Sequence, residues 1–85
     1  MITLDAARMG SRKEAHRYLQ QQLSFPDYYG CNLDALYDCL TDLDETEVTF
    51  TGTQEAEGTY FDKVIRVFRE AAVDNPRLRI LNDQE

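Results

Sequence analysis

Three short runs with strand character are separated everywhere by helical periodicity, and this alternation constrains the fold more than any other feature of the chain. Ile2-Thr3-Leu4 is a strand candidate, EVTFT over residues 47–51 alternates and is β-branched, and residues 78–81 give a last short strand. Ser11-Arg12-Lys13-Glu14 fits a capping box, with Ser11 as N-cap and Glu14 reaching back. A helix is therefore predicted over residues 12–22, with Ala15, Tyr18, Leu19 and Leu23 toward the core. Pro26 and Gly30 bracket a loop, and Asn32 as N-cap opens a second helix over residues 33–43. TGTQEAEGT is a polar connection with at most a helical turn inside it. Phe61, Val64, Ile65, Phe68, Ala71 and Ala72 then hold helical spacing over residues 60–73, until Asn75-Pro76 stops the helix. The order is β-α-α-β-α-β. Strands separated by helices imply an α/β fold, a small three-stranded parallel sheet covered by helices and joined by right-handed crossovers.

Eighty-five residues make one domain, spanning residues 1–85, with a small core and little stability to spare. The charge is unevenly distributed. No Lys or Arg lies between Arg17 and Lys63, and the intervening residues 18–62 carry ten acidic side chains. The net charge of −7 is smaller than this block's own −10, so the middle is an acidic face that the ends dilute. Phosphate binding needs clustered Lys and Arg, so the net charge of −7 argues against direct nucleic-acid or anionic-membrane binding and for a basic protein partner. MITLDAARMG has no apolar stretch of signal-peptide length, and a cytoplasmic protein is expected. Cys31 and Cys39 are too few for a disulfide scaffold and match no zinc spacing. No cofactor or metal is expected.

Within the acidic block the second helix has two faces. At ~100° per residue, Leu33, Leu36, Tyr37 and Leu40 fall in one apolar sector. Asp34, Asp38 and Asp42 form a second stripe four residues apart, and Tyr37 lies at the boundary. Like charges at this spacing repel by roughly 0.2–0.5 kcal/mol per pair. Asp38 and Asp42 also sit toward the end of the helix where the dipole disfavours acids. A chain selected for stability alone would carry Lys there. A solvated acidic face is the plain explanation, but Asp27-Tyr28-Tyr29-Gly30 sets aromatic rings beside these carboxylates, a combination typical of interfaces. Adjacent rings on an extended segment point opposite ways, so one of Tyr28 and Tyr29 belongs to the core. Gly30 either turns the chain or allows a partner close backbone approach.

The run Tyr28-Tyr29-Gly30, then Asn32-Leu33-Asp34-Ala35-Leu36 and Asp38-Cys39-Leu40-Thr41, resembles the barstar family of intracellular inhibitors of bacterial extracellular guanyl-specific ribonucleases. Val67-Phe68-Arg69-Glu70-Ala71 and the order of elements resemble it too. In that family the loop and second helix plug the active site of a basic ribonuclease. The resemblance implies that Asp38 enters the phosphate pocket as a stand-in for a substrate phosphate oxygen. Tyr28 then lies over the catalytic histidine, and Asp34 and Glu70 engage a second arginine near the guanine-recognition loop. Gly30, Asn32, Tyr37 and Thr41 fill the surrounding contact, in a 1:1 complex of a monomeric inhibitor with its ribonuclease. The chain differs from the family pattern at Cys31 (an acid), Tyr37 (a tryptophan), Asp42 (a glycine) and Leu43 (a tryptophan). A shorter connection after Thr51 implies that the family's extra helix is reduced or absent there.

Two rival classes compete with this function. Asp34 with Asp38 as an acid–base pair or Mg²⁺ site lacks a desolvated cleft to push their pKa values apart. His16 with Cys39 as a base and thiol reads more simply as two structural side chains, so no enzyme is expected. An acidic interaction module, or an immunity protein against a different basic nuclease toxin, is the nearer rival.

Overall fold

The computed structural model describes residues 2–81. Strand β1 (Ile2–Asp5) leads through a 3-10 turn (Ala6–Met9) into α1 (Arg12–Leu23), and α2 (Leu33–Thr41) follows the loop. Strand β2 (Thr46–Thr51), helix α3 (Phe61–Asp74) and strand β3 (Leu78–Ile80) complete the β-α-α-β-α-β order. The strands form one sheet, β1-β2-β3, with both pairs parallel.

Register explains which face is covered. Leu4 pairs with Phe50, Ile2 and Ile80 flank Val48, and Leu78 faces Thr46. These apolar side chains belong to the same core as the buried residues of the helices, among them Leu19, Leu36, Leu40, Val64 and Phe68. The alternate positions, Thr3 with Thr49, Asp5 with Thr51 and Glu47 with Arg79, form a polar face. The period of two thus assigns the core to one side of the sheet. Arg79 and Glu47 make a cross-strand ion pair at 3.4 Å there. Both are substantially exposed, so the pair adds little stability.

Several boundaries differ from the sequence reading, each for a visible reason. α2 ends at Thr41, two residues early: the Asp42 N–H turns back to the Cys39 carbonyl (3.2 Å) and the Leu43 N–H to that of Leu40 (3.3 Å). Asn75 then takes over. Its buried Nδ2 donates to the carbonyls of Leu40 (3.0 Å) and Leu43 (3.1 Å), while its Oδ1 accepts from the Arg77 N–H (3.1 Å). Expected as a stop signal for α3, Asn75 also caps α2 across 35 residues of sequence. α1 runs one residue further than expected because Ser24, in the left-handed region at φ 56°, closes it by donating to Gln20. The 3-10 turn was not expected. The Asp5 side chain opens it by accepting from the Ala7 N–H (3.0 Å). Residues 53–59 form turns with no helix, as the short connection implied.

Candidate partner-binding face

Residues 24–32 and α2 build the face that the sequence singled out. Asn32 caps α2, its Oδ1 accepting from the Ala35 N–H at 2.7 Å, and its Nδ2 donates back to the Gly30 carbonyl at 3.2 Å. Leu36 and Leu40 are fully buried, while Leu33, Tyr37 and Cys39 are partly buried against the core. Asp34 and Asp38, some 200° around the helix from Leu36 and Leu40 respectively, are exposed. Among the described residues neither makes an ion pair, and the same holds for Asp42 and Glu70. Among the described residues the like-charge stripe is therefore without an ion-pair partner. Thr41 is half-buried and its hydroxyl donates to the Asp38 carbonyl (3.0 Å), tightening the last turn.

The two tyrosines separate as expected. Tyr28 is 89% exposed and Tyr29 6% exposed. Tyr29 stacks obliquely on Phe25, with ring centroids 4.9 Å apart. Its hydroxyl lies 2.6 Å from Nδ1 of His16, whose Nε2 lies 2.8 Å from the hydroxyl of Tyr60. Burial, and then the nearby Arg12 guanidinium, lowers the His16 pKa from its ordinary value. A neutral imidazole has one donor and one acceptor nitrogen, so in either tautomer both tyrosines are satisfied. Burial also raises the pKa values of the Tyr29 and Tyr60 phenols, keeping them protonated.

Gly30 and Cys31 shape the end of the loop. A Cβ at Gly30 would lie 3.2 Å from Asn32 Nδ2 and 3.3 Å from the Ala35 Cβ, so the N-cap itself crowds this position. Cys31 is exposed and left-handed at φ 53°. Of the positions that differ from the family pattern, Cys31 and Asp42 are exposed, whereas Leu43 is partly buried against the core. Glu70 is exposed on α3, which packs against α2.

Both imidazole nitrogens of His16 are engaged by tyrosines. Burial and then the carboxylates of Asp42 and Asp38 push the Cys39 thiol pKa up, away from the reactive thiolate. Among the described residues no group of three or more His, Cys, Asp or Glu side chains could hold a metal ion. Among the same residues no helix is long and apolar enough to cross a membrane.

This fold, with its loop and acidic second helix, has a counterpart among known proteins. A family model described as Barstar (barnase inhibitor) matches residues 1–81. The chain belongs to the barstar family. It is 43% identical over 75 residues, covering 82% of each chain, to the Bacillus subtilis (strain 168) protein named "Putative ribonuclease inhibitor YrdF". The barstar match extends through both segments that carried the resemblance and through all three strands. What sequence reasoning missed within this barstar fold is the support behind the face. Arg12, Gln20, Tyr60 and Asn75 carried no local signal for it, because their partners lie 6 to 44 residues away.

Proposed function

We propose that the chain is a proteinaceous ribonuclease inhibitor that blocks the active site of a basic, guanyl-specific ribonuclease with its loop and α2, protecting the cell that makes both. Family membership and the name of the relative support ribonuclease inhibition in general and a binding role over an enzymatic one. The observation that carries the finer reading is the exposed pair Asp34 and Asp38, unpaired among the described residues, together with the exposed ring of Tyr28 on the loop that leads into the same helix.

A carboxylate that meets several arginines makes charge-assisted hydrogen bonds as water is excluded. Asp38 takes this role, standing where a substrate phosphate oxygen would. Asp34, with Glu70 from α3, meets a second cation, and Tyr28 lies over the catalytic histidine. Gly30, Asn32, Tyr37 and Thr41 complete the contact. The complex is a 1:1 heterodimer formed in the cytoplasm with a ribonuclease that acts outside the cell. The exposed departures at Cys31 and Asp42 tune which ribonuclease is met, while the partly buried Leu43 is as much a packing residue as a contact.

Stoichiometric addition of the protein is expected to abolish the activity of a guanyl-specific ribonuclease, and Asp38→Ala to weaken binding on the order of a hundredfold or more, because it strands buried cations. A panel of such ribonucleases left fully active at micromolar inhibitor would overturn the proposal.

A further inference from the structure

The loop that would meet the partner is held from behind by a single stripe of α1. Arg12, His16 and Gln20 lie four residues apart and so share one helix face. Gln20 Nε2 donates to the Pro26 carbonyl at 2.9 Å. One turn earlier, His16 Nδ1 meets the Tyr29 hydroxyl at 2.6 Å. A further turn back, Arg12 Nε donates to the Cys31 carbonyl at 3.4 Å, the longest and weakest of the three contacts. The loop therefore runs back along α1, touching it at 26, 29 and 31 in reverse order. Tyr28 and Gly30 fall between the held points and face outward. Within the loop, the Tyr29 N–H donates to the Pro26 carbonyl (2.9 Å) to close a turn. Nε2 of His16 extends the middle contact to Tyr60 at the start of α3.

We propose that Arg12, His16 and Gln20 are positioning residues that fix the loop in its binding shape before a partner arrives, a role that rests on the inhibitor reading above. A loop without strand or helix loses conformational entropy when a partner fixes it, and ordering it beforehand removes that loss from the binding step. None of the three residues needs to touch the partner to act this way. Each works through the backbone or the ring that presents Tyr28 and Gly30.

The test pairs hydrogen exchange on the free protein with dissociation kinetics from a guanyl-specific ribonuclease. Gln20→Ala and Gln20→Glu each remove the donor to Pro26, the second at nearly constant size. The Tyr29 amide, which donates to the Pro26 carbonyl, is expected to exchange about fivefold faster in both variants, as the loss of one neutral hydrogen bond implies. Core amides of α3 should keep their rates, and dissociation should quicken by a similar factor. Tyr29→Phe, which deletes the hydroxyl facing His16 and keeps the ring, is expected to act in the same direction. Gln20→Lys, which restores a donor, should recover part of the effect. Should His16→Gln fail to fold, these variants still decide the matter. Unchanged loop exchange in folded Gln20→Ala and Tyr29→Phe overturns the positioning role, as does a uniform rise at loop and core amides, the mark of a merely structural contact. The exchange measurement needs no partner, so a wild-type protein that inhibits no ribonuclease would overturn the inhibitor reading and still leave loop positioning decided.

Discussion

His16 joins the loop to the start of α3 through one ring, and because that ring titrates the contact depends on pH. The groups facing it are the Tyr29 phenol from the loop, the Tyr60 phenol at the start of α3 and, on its own helix, Arg12. Neither phenol can supply a negative charge at neutral pH, since burial raises both pKa values. Burial and Arg12 lower the His16 pKa in the folded protein below its ordinary value of 6.5. Between the two values the unfolded chain binds a proton that the folded chain refuses, so stability falls as pH is lowered through that window. The contribution is fully present above the unfolded value and is lost as pH falls through the folded one. Urea midpoints measured at about pH 7 and about pH 5 should therefore drop further for the wild type than for His16→Gln, whose side chain does not titrate. Equal drops in both proteins would show that carboxylates alone set the acid response.

At the scale of an element, α2 is poorly arranged for its own stability. It has one acid in its first turn and no base in its last. Asp38 repels Asp34 behind it and Asp42 ahead of it, and lies toward the end where the helix dipole disfavours it. The helix persists because Asn32 caps its start, Asn75 takes the carbonyls at its end, and Leu36 and Leu40 are buried. Asp38→Lys relieves both repulsions and suits the dipole. It is expected to raise the stability of the free protein by roughly 0.2–1 kcal/mol while removing ribonuclease inhibition. Chemical denaturation and an inhibition assay on the same preparation check both halves. A variant that loses stability along with binding would mean that Asp38 supports the fold. The acidic stripe was legible in the sequence because helical period alone separates it from Leu36 and Leu40. The end of α2 was not, because Asn75 caps it from the far end of α3.

For the whole molecule, charge and fold act together. The acidic block of residues 18–62 spans the loop, α2, β2 and the turns after it, while the basic side chains lie on the 3-10 turn, α1, α3 and the chain around β3. On the proposed reading the field of this acidic block draws the basic partner, and salt screens it over a Debye length of about 8–10 Å. Association with the ribonuclease is expected to slow markedly as ionic strength rises, while dissociation changes less. Stopped-flow measurements across a salt series check this, and association indifferent to salt would remove the steering role from the block. The sequence by itself determined the order of elements, the parallel sheet, the acidic stripe of α2 and the family. Each of these is written in local periodicity, in short-range capping, or in the charge and motif pattern along the chain. Only the tertiary structure decided which tyrosine is core, that His16 bridges the loop to α3, that α1 holds the loop at three points, and where α2 stops. Those contacts join residues far apart in sequence, and a buried polar atom takes whichever partner the packed chain brings within hydrogen-bond reach.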